Sequence, residues 1–256
     1  MNKIVTVVQA RMTSSRLPGK VLKVLANSPM LEHQINRIKR AKLIGALIVA
    51  CSTDDSDDGI EALCKENGVI LYRGSLDDVL DRVYRASATH GPDHVVRLTG
   101  DCPLIDWTVI DRVIEVHLAQ NNDYTSNTLA ATYPDGLDVE VIKFSCLKKA
   151  HLNARLKSER EHVTPFLKNR TNRFKLGNVT NSTDLSHLRW TVDESLDFKF
   201  VQMIYKHLYP TKPDFCLNDV VKLLNEHPEL KAINSHFIRD SGYAKSLSDD
   251  QDLADV

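Results

Sequence analysis

The chain has 256 residues, 42% hydrophobic and 26% charged, enough to bury a full core without disulfide or metal staples. Lysine plus arginine total 33 against 34 for aspartate plus glutamate, a formal net charge of -1. That balance excludes a global field favouring long nucleic acids or acidic membranes, so any anion site must be local. Five cysteines with no C-x-x-C pair argue against a disulfide framework or a zinc ribbon and fit a reducing compartment. Leu43 to Cys51, the longest nearly unbroken apolar stretch, is far short of the roughly 18 residues that span a bilayer. Lys3 with Ile4 to Val8 imitates the start of a signal peptide, but Gln9 and Arg11 interrupt it. The expectation is a soluble, cytoplasmic protein without membrane insertion or a nucleic-acid partner.

In chain order, Ile4 to Val8 is a β-branched run that predicts a strand, followed by a polar loop. Leu31, Ile35, Ile38 and Ala41 recur at helical spacing, with Arg37, Lys39, Arg40 and Lys42 on the exposed side. The alternation continues. Ala46 to Ala50 reads as strand, Asp57 to Glu66 as helix behind Ser56 as N-cap with Gly68 closing it, and Val69 to Tyr72 as strand. Asp77 to His90 reads as helix, His94 to Thr99 as strand and Thr108 to Gln120 as helix. Such alternation implies crossover units and a mostly parallel sheet covered on both faces.

Beyond residue 120 the alternation loosens. Asp138 to Lys143 reads as strand, Phe144 to Arg155 and Ser158 to Lys168 as helices, and Arg173 to Val179 and Leu188 to Val192 as strands that mix antiparallel pairing into the sheet. Ser195 to Tyr209 and Asp219 to Glu226 read as the last helices. No Pro-, Gly- or Ser-rich linker divides the chain, so residues 1–240 are expected to form one α/β domain. Residues 241–256, acidic from Ser246 onward and poor in large apolar side chains, are expected to be a mobile tail.

In an open parallel sheet, ligands bind beyond the carboxyl ends of the strands, so the loops leaving strands carry the candidate chemistry. Gln9 to Lys20 offers three cations (Arg11, Arg16, Lys20), three hydroxyls and Gly19, a composition able to surround a polyphosphate with guanidinium forks, hydroxyls and backbone N–H groups. It is neither a G-x-x-x-x-G-K-[ST] nor a G-x-G-x-x-G loop, which disfavours kinase-type and dinucleotide folds; an ordinary basic surface loop is the alternative. Asp101, in Gly100-Asp101-Cys102-Pro103, would stand at the same sheet edge, either as ion-pair partner or turn cap for the cations or as a magnesium ligand. Asp193, after Leu188 to Val192 and before a helix, is either the second such ligand or a helix N-cap. Cys102 reads as a loop-packing residue rather than a nucleophile. Asp54-Asp55-Ser56-Asp57-Asp58 holds a metal-like aspartate spacing, but acids also suit the positive end of a helix dipole.

Ala10 to Lys20 resembles the signature of cytidylyltransferases that activate acidic sugars, such as the 3-deoxy-manno-octulosonate and acylneuraminate enzymes. Gly100 to Pro103 and Thr191 to Asp193 resemble that superfamily's two metal-bearing segments. Asp135 to Glu140 and Glu159 to Pro165 resemble the branch called spore coat polysaccharide biosynthesis protein F. The likeness spans residues 3–209; the remainder carries no matching motif. It implies a nucleotide-diphosphosugar transferase-like (Rossmann-like) three-layer fold with a mixed, mostly parallel central sheet. It also implies CTP over the first loop, with Ala10 and Arg11 near base and ribose, Ser14, Arg16 and Lys20 on phosphates, and Thr53, Ser75 and Arg82 around the nucleotide. The segment around Ser75 departs from the octulosonate enzymes' glycine-threonine pattern, which leaves the base open. Asp135, Asp138, Glu140, Glu161 and His162 would form the sugar pocket, and Asp101 and Asp193 would bind Mg²⁺. Without the resemblance, Asp138 and Glu140 are alternate residues of one strand face, and Glu161 and His162 a helix surface.

The expectation is therefore magnesium-dependent cytidylyl transfer from CTP to a sugar for polysaccharide or spore coat biosynthesis, with Lys20, Arg16 and Asp101 carrying catalysis. Dimeric relatives within the resemblance point to a homodimer. The alternatives are a glycosyltransferase that uses a finished nucleotide sugar and a nucleotide-binding module without turnover.

Overall fold

The computed structural model describes residues 2–239 and 241–250. Seven strands form one sheet: β1 (Ile4–Gln9), β4 (Ala46–Ser52), β5 (Ile70–Gly74), β6 (His94–Thr99), β7 (Tyr124–Ser126), β8 (Glu140–Lys143) and β9 (Leu176–Asn178), in spatial order β5-β4-β1-β6-β8-β7-β9. β8 runs antiparallel to both its neighbours, and the remaining pairs are parallel. β2 (Val24–Leu25) and β3 (Ser28–Pro29) make a separate two-stranded ribbon. The mixed, mostly parallel sheet expected from the alternation is present.

Strand side chains divide by parity. Val5 and Val7 of β1, Ile48 and Ala50 of β4 and Val95 of β6 join one core, whereas Val8, Val49, Cys51, Val96 and Leu98 join the other. The first core is closed by α3 (Val79–Ala88), α5 (Phe144–Asn153) and α7 (Pro165–Lys168). The second is closed by α1 (Met30–Ile38), α2 (Asp58–Glu66), α4 (Trp107–Gln120), α8 (Ser195–Leu208) and α9 (Leu217–Glu226). Both faces are thus covered, which is why the central strands read as nearly continuous apolar runs. Among the described residues no helix is long and apolar enough to cross a membrane.

After β1 the chain moves outward through β4 and β5, then returns to the other side of β1 as β6. The loops leaving β1 and β6 therefore diverge at a topological switch point, where a crevice opens. Gly100 permits their approach, because a Cβ there would lie 2.9 Å from both the Ala10 Cβ and the Gln9 carbonyl oxygen.

Several expectations are corrected. Leu188 to Val192 is not a strand; only a bridge between Asp135 and Arg189 forms. Gly136, at φ 106°, brings the two segments so close that a Cβ would lie 2.4 Å from the Thr191 nitrogen. Ser158 to Lys168 is two helices, α6 (Lys157–His162) and α7, separated at Val163 with φ 71° before Pro165. Ser56 is not the cap of α2: it lies in a 3-10 turn over Asp55–Asp57 that Asp54 caps by accepting the Ser56 amide, and the N-cap position of α2 is Asp57, whose side chain makes no cap bond. Residues Ser241–Ser248, read as tail, form α10 against α6, with Asp250 accepting from the Ser158 amide and hydroxyl at 2.7 Å each; residues 251–256 of that expectation lie outside the described residues.

A buried polar chain ties α4 to β6 and β7. His94 Nδ1 lies 3.0 Å from His117 Nε2, and His117 Nδ1 lies 3.0 Å from Thr125 Oγ1. Burial, with His94 beside it, pushes the His117 imidazole down to about 4. The unfolded chain therefore takes up this proton near its ordinary value of 6.5, before the native state does. Stability is expected to be complete above that pH and to fall by roughly 3 kcal/mol for His117 alone as pH approaches 4. Urea unfolding between pH 7.5 and 4.5 checks this; a His117→Gln variant that shows the same slope would assign the dependence elsewhere.

Candidate active site

The loop after β1 is held from below by an acid. Asp57 is fully buried and accepts the Met12 amide at 2.7 Å, the Ser52 amide at 2.7 Å and the Ser52 hydroxyl at 2.6 Å. The loop then closes on itself through Ser14 and Gly19 amides, both 2.9 Å from the Met12 carbonyl. This delivers Lys20 into a 3-10 turn over Lys20–Leu22, with the side chain in the crevice.

Two further segments are stitched together opposite it. The Val192 amide donates to the Asp101 carbonyl at 2.8 Å, and the Thr191 amide to the Asp135 carbonyl at 2.9 Å. Asp101 and Asp193, ninety-two positions apart, thereby face one point, and that point is the Lys20 ammonium. It lies 3.0 Å from Asp101 Oδ2, 2.8 Å from Asp193 Oδ1 and 2.7 Å from the Val192 carbonyl. Burial opposes the Lys20 charge, but the Asp101 and Asp193 carboxylates outweigh it and hold its pKa above the ordinary lysine value. Burial likewise disfavours the Asp101 carboxylate, yet Lys20 and the Thr99 hydroxyl bring it down to about 2.

Asp193 is not the cap of α8. The N-cap is Glu194, in a capping box with Asp197, whose carboxylate accepts the Asp193 and Glu194 amides at 3.0 Å each. The Asp193 carboxylate instead meets Arg16 and Arg189, each 3.0 Å from Oδ2. Arg189, 7% exposed, also pairs with Asp135 and with fully buried Asp197, both at 3.0 Å. Asn234 donates to the Asp197 carboxylate and to the Arg189 carbonyl at 2.9 Å each.

Arg16, Lys20, Asp101, Asp135, Arg189 and Asp193 line a cleft of about 840 Å³. Its basic side carries Ala10, Arg11, Ser14, Arg16, Lys20 and Arg82, the candidates expected around a nucleotide; its far side carries Asp135, Asp138, Glu140, Glu161 and His162. Thr53 and Ser75, the other two candidates, sit exposed just past β4 and β5 and do not line it; the Ser75 carbonyl accepts from Arg82. Arg82 is 1% exposed, and its Nε has no hydrogen-bond partner. Burial, and next the charge of Arg11, lower its pKa against the opposing pull of Asp57 and Asp78.

On the far side Glu140 is locked rather than presented. It accepts from Arg97, from the Tyr124 hydroxyl at 2.6 Å and from Thr164 at 2.7 Å. Burial would raise its pKa, but Arg97 and Lys168 bring it down to about 2. Asp138 pairs with Arg239 at 2.6 Å, while Glu161 and His162 share the Ser246 hydroxyl at 3.0 and 2.9 Å. Tyr243, Ser246 and Asp249, absent from every motif, also line this side, as does Thr128. Cys102 is 3% exposed and its thiol is pushed well up by burial and then Asp101, which suits packing and not attack.

Carboxylates converging on one positive charge, with a backbone carbonyl beside them, supply the hard oxygen donors that magnesium uses, and the ammonium stands where such a cation would fit. No group of three or more His, Cys, Asp or Glu side chains among the described residues could hold a metal by itself. Water and substrate oxygens would have to complete the shell.

Residues 5–236 match the family model described as Cytidylyltransferase. The chain is 37% identical over 243 residues to an uncharacterised protein of Methanocaldococcus jannaschii, covering 94% of this chain and 98% of that one. It is 30% identical over 236 residues to the spore coat polysaccharide biosynthesis protein SpsF of Bacillus subtilis, covering 90% and 97%. Among solved structures, a cytidylyltransferase from Leptospira borgpetersenii superposes with a TM-score of 0.88 at 30% identity, over 93% of this chain and all of that one. The match spans the switch-point crevice and both aspartate segments, and the chain belongs to the cytidylyltransferase family.

Proposed function

We propose that the protein transfers a cytidylyl group from CTP to a sugar in a magnesium-dependent reaction, giving a nucleotide-activated sugar and pyrophosphate for surface or spore coat polysaccharide. The observation that carries this reading is the basic loop beside Asp101 and Asp193 at the switch point of a cytidylyltransferase chain. Arg11, Ser14, Arg16, Lys20 and Arg82 supply guanidinium, hydroxyl and ammonium donors for a triphosphate, and the partnerless Nε of buried Arg82 favours an anion beside it. A sugar hydroxyl oxygen bonds to the α-phosphorus, the bond from that phosphorus to the β-phosphate bridging oxygen breaks, and the hydroxyl proton is released. Lys20 and Arg16 would stabilise the negative charge developing on the transferring phosphoryl group and on pyrophosphate. A cation bound by Asp101 and Asp193 would add Lewis-acid stabilisation of the same charge. The far side, with Asp138, Glu161, His162, Tyr243 and Ser246, would hold the sugar. We also propose that the protein works in the cytoplasm, as a homodimer.

A thermal-shift screen of the four ribonucleoside triphosphates, each with and without Mg²⁺, tests the donor. At about 100 times its dissociation constant, CTP with Mg²⁺ is expected to raise Tm by roughly 5 to 10 °C, with smaller shifts for the others. Equal shifts for all four would remove the base assignment. Release of nucleoside diphosphate from a nucleotide sugar, with no pyrophosphate from CTP, would turn the reading to sugar transfer.

A further inference from the structure

The metal assignment proposed above meets an obstacle, since three of the four carboxylate oxygens of Asp101 and Asp193 are already paired with cations, and the fourth, Asp101 Oδ1, accepts from the Cys102 thiol at 3.4 Å. Asp101 Oδ2 and Asp193 Oδ1 hold the Lys20 ammonium, and Asp193 Oδ2 is shared by Arg16 and Arg189. A divalent cation placed there would face three positive side chains at close range, in a crevice where the Lys20 side chain is only 10% exposed. Nor can the described acids replace them, because no third carboxylate, histidine or cysteine completes a metal cluster.

We infer that Lys20 is the resident counter-ion of this aspartate pair. It excludes divalent cations from the nucleotide-free protein and yields the two carboxylates only when a triphosphate supplies new oxygens for its ammonium. The inference rests on the proposed roles of Asp101 and Asp193. Charge decides which groups move. Lys20 leaves two carboxylates and a carbonyl, and Arg16, 37% exposed, leaves the Asp193 and Glu194 carboxylates; a triphosphate offers both cations oxygens of greater charge. Arg189, with a side chain 6% exposed and two more aspartates on its fork, stays and keeps Asp193 oriented. Nucleotide and cation then bind interdependently: the phosphates remove the cations that block the site and complete the coordination that the protein lacks.

Manganese provides a probe with a readout other than turnover, the enhanced relaxation of water protons on protein-bound Mn²⁺. The wild-type protein is expected to bind Mn²⁺ alone weakly and to form the enhanced complex when CTP is added. Lys20→Met is expected to bind Mn²⁺ without CTP at least about tenfold more tightly than wild type, since the blocking charge is gone. Lys20→Met combined with Asp101→Asn should lose that gain. If Lys20→Met does not fold, Lys20→Gln removes the charge while keeping a donor for the Val192 carbonyl, and carries the same comparison. Wild-type protein that binds Mn²⁺ equally well with and without CTP overturns the inference. So does a folded Lys20 variant with no gain while the wild-type CTP complex takes up Mn²⁺; in both cases the metal assignment survives. Absence of bound Mn²⁺ in the wild-type CTP complex and in the Lys20 variant alike overturns the metal assignment and the inference with it.

Discussion

Asp101→Asn is expected to lower pyrophosphate release from CTP and a sugar by about 10²- to 10³-fold or more while leaving the fold intact. The substitution keeps the side chain's size and its place after β6, and removes the negative charge that would hold a cation against the reacting phosphate. Lys20 keeps Asp193 and the Val192 carbonyl as partners, so the ammonium is not stranded. The pH dependence carries the sign. The native Asp101 pKa is about 2, below the ordinary aspartate value, so its contribution is present above pH 4 and lost only as pH falls towards 2. An acid limb of activity between pH 5 and 7 would therefore belong to another group. A folded Asp101→Asn protein with wild-type turnover would sink the metal role.

Arg189→Met is expected to act on stability first. Its guanidinium neutralises Asp135, Asp193 and Asp197 in one buried fork, and Asp197 is wholly inaccessible to solvent. Burial opposes the Arg189 charge, but Asp197 and its neighbours outweigh it; burial opposes Asp197 as well, and Arg189 with Asn234 holds its pKa below the ordinary value. Removing one partner leaves buried charge uncompensated, a loss on the order of 3 to 5 kcal/mol and a fall in Tm of about 10 °C or more. Arg189→Lys should recover only part, because one ammonium cannot reproduce a guanidinium fork. Calorimetry at pH 7 makes the comparison. A Tm within about 2 °C of wild type for Arg189→Met would show that the carboxylates find other compensation.

These two substitutions mark what sequence reasoning could and could not see. Ala10 to Lys20 reads as a candidate phosphate loop because its basic and hydroxyl residues are contiguous and follow a clear strand, and the structure places Arg11, Ser14, Arg16 and Lys20 in the cleft. Asp57 was read as a helix-end acid, yet it is the buried anchor of that loop, forty-five positions from Met12, and nothing in Asp54 to Asp58 distinguishes it from its neighbours. Arg189 escaped for the same reason: its partners include Asp135, fifty-four residues away, across an approach that Gly136 permits. The far wall of the cleft was also incomplete, because α10 carries no motif and its short sequence, rich in small and polar residues, runs directly into Asp249 and Asp250 and so reads as part of a solvated tail.

The sequence by itself determined the α/β alternation, the order of the central strands' loops and the residue types gathered at their ends, since periodicity and turn chemistry are local. It also showed that the net charge of -1 leaves any anion site to local arrangement. Only the tertiary structure decided how those charges meet. Ion pairing falls steeply with distance and depends on burial, so the choice of Lys20 as partner to both Asp101 and Asp193, and of Arg189 as partner to three aspartates, follows from which backbone segments the sheet brings together.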